Sequence, residues 1–338
     1  MLSSAGTVTN DVKPLDGPLL AAELQRLRRE LLAYCYRLVG SAQEAEDMVQ
    51  ETHLRAWRAL SGFQGRASIR SWLYAIATNV CLTSIEQRRT KVLPSGRAAP
   101  SRPGAPPPSH AEKGTVSWLE PLPDTWLEPA ASEPDAAIFA RESLRLALIA
   151  SLQYLPARQR AIFILREALS FSALETAEIL DTTVAAVKSG LQRARAQLDR
   201  TALESEALLE PTDARAQELL DGYIAAFERA DVQLLVDVLR ADATLEATPF
   251  GDWRSGRVNC IDLLGAHVLG KPGDWRMLPT TANGQSAVVV YQRDAAGTLQ
   301  ASGVVVFDVT ATGISRVVAF HHEPSLVSGF GFPRSLAD

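Results

Sequence analysis

The apolar positions of this 338-residue chain change their period along its length, and the changes mark domains. Across residues 21–92 they recur every three or four positions with no strand-like alternation, which predicts helices. Ala45, Met48, Val49, Thr52, Ala56 and Leu60 form the inward stripe of one helix, with Asp47, Gln50, Glu51, Arg55 and Arg58 on its other faces. After a glycine-containing loop at 61–67, a second stripe follows: Ile69, Trp72, Leu73, Ile76 and Val80. The helical period resumes over 138–203, where Leu144, Leu148, Leu152 and Leu155 share a face. Beyond Pro211, helical patterns at 213–229 and 231–240 give way to strand-like runs at 244–247, 275–278, 287–292, 299–308 and 314–321. Asn283-Gly284, Ala296-Gly297 and Thr312-Gly313 break these runs, so an α+β domain with an antiparallel meander is expected over 211–338.

Two segments lack a period. Residues 1–20 are polar and read as a disordered N-terminus. Residues 93–137 carry so many prolines, among them Pro94, Pro100, Pro103, Pro106 and Pro121, that an extended linker is expected. Within it, Trp118-Leu119-Glu120-Pro121-Leu122-Pro123-Asp124 is too apolar for a spacer that only needs length. Either this segment docks on a distant surface or it collapses onto its own domain.

The stretch 172–198 reads as a short helix, a tight Asp-Thr turn and a longer helix that Thr182 or Thr183 can cap. Val184, Val187, Leu191, Ala194 and Leu198 give the longer helix a buried back, and Lys188, Ser189, Gln192, Arg193 and Arg195 give it a polar front. Such a helix, propped by a shorter one, suits a DNA major groove. An amphipathic hairpin with a solvated basic face fits the same pattern.

Composition narrows the choice. With 46% hydrophobic and 22% charged residues the chain is globular. No apolar run approaches the ~18 residues of a membrane span and the N-terminus has no signal-peptide pattern, so a cytoplasmic location is expected. Cys35, Cys81 and Cys260 are widely spaced and read as buried free thiols. The net charge of −5 conceals an asymmetry: residues 21–92 carry +4, 138–200 carry +3, the linker −3 and 201–338 −8. Only the two helical blocks therefore suit a polyanionic partner. In the first block, aromatic residues interleave with arginine beside a loop, as single-stranded DNA platforms require. Trp57, Trp72 and Tyr74 at helical spacing fit a core equally well.

These residues carry a family resemblance. Glu44-Ala45-Glu46-Asp47-Met48-Val49-Gln50-Glu51-Thr52, Phe63-Gln64-Gly65 and the run from Ser71 to Leu82 resemble region 2 of extracytoplasmic-function (ECF) sigma factors. Leu155-Pro156-Ala157-Arg158-Gln159-Arg160-Ala161 and the following helix–turn–helix resemble region 4. The resemblance implies two all-α sigma domains and the partners core RNA polymerase and promoter DNA. Asp47, Gln50, Glu51 and Arg55 would meet the clamp helices of the largest polymerase subunit, and region 4 the flap of the second subunit. Phe63, Ser68, Arg70, Trp72, Tyr74, Asn79, Arg88 and Arg89 would melt and read the minus-ten element, with arginines on phosphates. Thr183, Lys188, Ser189, Gln192, Arg193 and Arg195 would read the minus-thirty-five element. Thr83 stands where the family usually has Asp, and Gly190 interrupts the recognition helix, leaving room for a phosphate or bending it.

Residues 211–338 extend beyond a minimal ECF sigma factor. Their helix pair and strands, with Phe250-Gly251-Asp252-Trp253 and Phe320-His321-His322-Glu323-Pro324, resemble the SnoaL-like cone-shaped α+β fold. With the 118–124 segment, they resemble the ECF subgroup that carries this domain fused. Fold relatives include enzymes with an Asp or His base, so Asp237, Glu246, Arg276, Tyr291, His321 and His322 are the candidates to weigh. No convergent acid–base pair is visible, and adjacent histidines on a strand point to opposite faces. The expectation is a non-enzymatic regulator without metal or cofactor, modulated in cis by this domain, with a possible ligand pocket at Asp237, Trp253, Tyr291 and His321. The alternative is a stand-alone helix–turn–helix regulator whose C-terminal domain senses a ligand.

Overall fold

The computed structural model describes residues 16–87, 90–108, 116–127, 143–201, 207–321 and 324–337. Arg88, Arg89, His322 and the segment 1–15 lie outside the described residues.

Helix α1 (Gly17–Val39) starts where the Asp16 carboxylate accepts the Leu19 N–H at 2.9 Å. It stops at Gly40, whose φ of 71° lets its N–H bond back to the Tyr36 carbonyl at 2.8 Å. Ser41 then caps α2 (Ala42–Ala59), and the Ser68 hydroxyl accepts the Ser71 N–H at the start of α3 (Ile69–Gln87). Leu27, Leu31, Ala45, Val49, Leu73 and Ala77 close the core among these three helices. The second helical domain comprises α4 (Leu146–Gln153), α5 (Ala157–Phe163), a π-turn at Ile164–Ala168, α6 (Ala173–Ile179) and α7 (Val184–Thr201). A reciprocal capping box between Ser172 and Glu175 starts α6.

The C-terminal domain opens with α8 (Ala214–Glu228) and α9 (Val232–Val238), followed by β3 (Leu239–Thr248), β4 (Asp252–Ser255) and α10 (Arg257–His267). Then come β5 (Trp275–Ala282), β6 (Gln285–Arg293), β7 (Leu299–Thr310), β8 (Gly313–His321), α11 (Pro324–Gly329) and β9 (Ser335–Leu336). The main strand order is β4-β3-β8-β7-β6-β5. Strands β5 to β8 form the expected antiparallel meander, but β3 pairs in parallel with β8, so the sheet is mixed. The cause is α10: it carries the chain from β4 to the opposite edge, and the meander returns beside β3.

Both faces of this sheet are covered. Val288, Val290, Val305, Phe307 and Val317 pack under α8, α9 and α10. Their neighbours Ala287, Val289, Val304, Val306 and Phe320 belong to one apolar cluster with the helical domains. The apolar linker segment completes that cluster, with Leu119 and Leu122 buried. Segment 118–124 therefore docks between domains, and its first residue belongs with Ser117 to β2 (Ser117–Trp118), which pairs in parallel with β1 (Lys91–Val92).

A buried polar junction fixes this contact. Asn283, fully buried in the β5–β6 turn, accepts the Leu122 N–H through Oδ1 at 2.9 Å. Its Nδ2 donates to the Tyr36 hydroxyl at 2.8 Å and to the Leu144 carbonyl at 2.7 Å. The next two residues extend the junction: the Gly284 N–H donates to Asp124 at 2.8 Å, and Gln285 Oε1 accepts the Leu146 N–H at 2.7 Å. One turn thus bonds both helical segments and the linker.

Candidate polymerase and promoter surfaces

On α2, Asp47, Gln50 and Arg55 are exposed and Glu51 is half-buried, paired with Arg55 at 2.7 Å. Leu54 and Trp57 stand among them, 52% and 46% exposed. The sequence pattern did not mark Leu54, and Trp57 sits outside the core that its spacing allowed. Two large apolar groups ringed by charge make a surface suited to a protein partner, because apolar area supplies affinity and charge supplies orientation.

The minus-ten candidates divide. Phe63 and Trp72 bring their rings to 4.9 Å, and Ser68 and Asn79 are exposed. Ser68 also has a structural duty as the α3 cap. Arg70 is half-buried, with its Nε and Nη2 donating to the Glu30 carboxylate at 3.3 and 3.1 Å. Tyr74 requires correction: it is fully buried between Tyr34 and Phe171, with ring centroids 5.1 and 5.0 Å away. Burial raises its pKa, and it is packed at the contact between regions 2 and 4 rather than set out on the surface. Thr83 returns its hydroxyl to the Asn79 carbonyl at 2.8 Å, so it does no capping in place of the usual Asp.

The recognition helix presents its candidates outward. Lys188, Gln192, Arg193 and Arg195 are exposed, and Arg195 also pairs with Glu167 at 2.8 Å. Thr183 caps the helix by accepting the Ala186 N–H at 3.2 Å, and Ser189 donates to the Ala186 carbonyl. Gly190 does not face DNA: it is buried, and a Cβ there would come within 2.6 Å of the Ile162 Cδ1. The glycine permits close approach of α5 and α7.

The helical domains touch each other directly. Arg160 reaches from α5 to the Leu38 carbonyl and to Gln153, and Arg37 donates to the Ser143 hydroxyl at 2.7 Å. Burial lowers the pKa of both guanidinium groups to about 10.

The proposed pocket residues do not converge. Asp237 is exposed on α9. Tyr291 faces away from the cone and donates to the Pro333 carbonyl at 2.8 Å. Trp253 pairs across from Glu246 and donates to the Ala98 carbonyl of the linker at 2.8 Å. His321 is half-buried beside Phe250. Strand alternation separates Tyr291 from the cone, since neighbouring positions on β6 serve opposite faces. Inside the cone, Tyr223, Phe227, Trp275 and Phe307 pack with centroid separations of 4.8 to 5.9 Å. Glu246 is occupied by the Ser95 N–H and Arg316, and Arg276 pairs with Glu228 at 3.2 Å. Among the described residues no three potential metal ligands gather, and no helix is long and apolar enough to cross a membrane.

Comparison with known proteins matches residues 24–90 to Sigma-70 region 2 and residues 145–198 to Sigma-70, region 4. The ECF RNA polymerase sigma factor SigG of Mycobacterium tuberculosis is 44% identical over 94% of this chain and 84% of its own length. The chain belongs to the ECF sigma factors. It is an RNA polymerase sigma factor, whose domains imply core polymerase and promoter DNA as partners. SigW of Bacillus subtilis is 26% identical over 55% of this chain, covering 90% of that protein. The crystal structure of M. tuberculosis SigJ shares the fold with a TM-score of 0.59 and 21% identity, covering 91% of this chain and 98% of that one. That likeness extends through the C-terminal sheet, so this ECF sigma factor is two helical sigma domains followed by an α+β domain with the helix-on-sheet architecture expected of a SnoaL-like cone.

Proposed function

We propose that the C-terminal domain regulates this sigma factor in cis by holding regions 2 and 4 closed in the free chain, and that core polymerase binding opens them. The observation that carries this reading is the Asn283 junction, where one buried turn bonds the region 2 helix α1, the linker and the entry to region 4. The charge asymmetry supports it, because the −8 block lies beside two basic ones. In the open state, Asp47, Gln50, Glu51 and Arg55, with Leu54 and Trp57, take the clamp helices of the largest subunit, while region 4 engages the flap. The loop and helix from Phe63 through Asn79 read the minus-ten element, and Thr183, Lys188, Ser189, Gln192, Arg193 and Arg195 serve the minus-thirty-five element. The chain then acts as a promoter reader with no catalytic step of its own. A ligand-sensing reading would need space in the cone, where four aromatic rings meet among the described residues, so closure is favoured.

Spin labels on Gln43 and Gln192 of the full chain test this reading. A single short distance in the free protein and a long one after addition of core polymerase is expected. The same distance in both states refutes closure.

A further inference from the structure

Phe171 has no role in the promoter-reading scheme, yet it contacts that surface at its centre. It follows Ser170, whose φ of 56° turns the chain after the π-turn, and its N–H bonds to the Leu165 carbonyl at 3.0 Å. This turn projects the ring out of region 4 into region 2, where it is buried. The Arg70 guanidinium carbon lies over the ring, 4.3 Å from its centroid, and the Tyr74 ring meets it edge-on. Arg70 is oriented from the other side: its Nε–Nη2 edge is directed at Glu30, which also accepts the Tyr74 hydroxyl at 3.3 Å.

A guanidinium whose Nε–Nη2 edge is held by a carboxylate keeps its flat face and its Nη1 N–H groups to offer, the latter beside the Glu30 charge. Flat guanidinium faces stack on aromatic rings and on unpaired bases, whereas a phosphate needs the N–H edge. Glu30 would also repel a phosphate approaching that edge. We propose that Arg70 is a stacking platform for an unpaired base, positioned by Glu30, and that Phe171 occupies the platform in the closed chain as an internal surrogate for that base. This refines the sequence expectation, in which arginines of this helix hold phosphates, and it rests on the closure reading above. Region 4 thereby covers the region 2 reading surface itself, and withdrawal of the Phe171 ring frees it.

The test uses the full chain, alone and with core polymerase, and a fluorescently labelled single-stranded DNA of mixed sequence. Phe171→Leu keeps apolar bulk in the core and removes the ring. It should raise the affinity of the free chain for the probe about fivefold or more, the scale of one base stack, with less than a twofold change in the holoenzyme. Phe171→Ala should act in the same direction. Arg70→Lys keeps the charge and loses the plane, so it should weaken the holoenzyme about fivefold with an unchanged salt slope. Unchanged free-chain affinity in both Phe171 variants overturns the surrogate role. Wild-type binding by Arg70→Lys, with a weaker and less salt-dependent Arg70→Gln, makes Arg70 a phosphate contact and overturns the platform role. Failure of the wild-type holoenzyme to bind the probe also overturns it. If Phe171→Leu frees the surface while the Gln43–Gln192 distance ignores core polymerase, the surrogate stands and the closure reading alone fails.

Discussion

Replacing Asn283 with Gly isolates what the buried junction contributes. Glycine accepts the φ of 59° at this turn, so the backbone is not strained and only the side-chain bonds are lost. The Leu122 N–H loses its acceptor at 2.9 Å, and an orphaned buried donor costs about 1–3 kcal/mol. The Leu144 carbonyl loses a 2.7 Å bond, adding roughly 0.5–1.5 kcal/mol. Tyr36 is spared the full penalty, because its hydroxyl still donates to the Glu120 carbonyl at 2.9 Å. The sum is about 1.5–4.5 kcal/mol, or roughly a 10- to 2000-fold rise in the open population. Hydrogen exchange of the Leu122 amide reads this directly, since that N–H is the group released. Its protection should fall by that factor in Asn283→Gly, while amides of the α2–α3 core keep theirs. Leu122 protection within about threefold of wild type would mean that the side chain of Asn283 does not hold the domains, and the closure argument would lose its anchor.

Four further outcomes follow from the same geometry. Substituting Lys188, Arg193 and Arg195 together with Ala should abolish reconstituted transcription from promoters that need the upstream element; unchanged output would sink the recognition-helix assignment. Gly190→Ala gains up to about 1 kcal/mol of helix propensity but forces a contact on Ile162, so thermal denaturation should show net destabilisation, and the Ile162→Val double variant should recover most of it. Leu54→Asp, at an exposed position, should leave the melting profile intact and weaken core polymerase binding at least about tenfold by fluorescence titration; full affinity would remove the apolar centre from that surface. Asp308 is raised in pKa chiefly by burial, against the opposing pull of Arg316 and the Gln285 hydrogen bond. Its stabilising contribution is therefore complete below its ordinary value of 3.8 and declines as pH rises through the raised one, a slope that Asp308→Asn should flatten in denaturation curves.

Much of the fold was legible in the sequence because single-faced helices announce themselves. The stripes through Ala45 and Val49, Leu73 and Val80, and Val187 and Ala194 all lie inward as read. The sheet was harder. Val288, Val289, Val290 and Tyr291 are all apolar and all buried, since one face serves the cone and the other the sigma domains. With no alternation left to read, Tyr291 could not be assigned a face, and the parallel pairing of β3 with β8 depends on a crossover that no local pattern encodes. Asn283-Gly284 signalled a turn correctly, but turn chemistry is silent on what the side chain bonds 139 to 247 residues away. Tyr74 and Gly190 failed for a shared reason: a helical wheel gives direction within a helix, and only packing says which neighbour waits there. Phe171 and Leu54 carried no signal beyond being apolar.

The doubly covered sheet also has a meaning in time. During synthesis the sigma domains leave the ribosome before the sheet that would close on them. At roughly 5–20 residues per second, the ~130 residues that follow region 4 here take about 6–25 seconds to translate. For that interval a nascent chain carries its promoter-reading domains without their closing partner, while the strands that follow cannot bury Ala287, Val289 or Phe320 except against domains already folded. On the closure we propose, each new molecule therefore begins its life open and becomes restrained only once this sheet has been made.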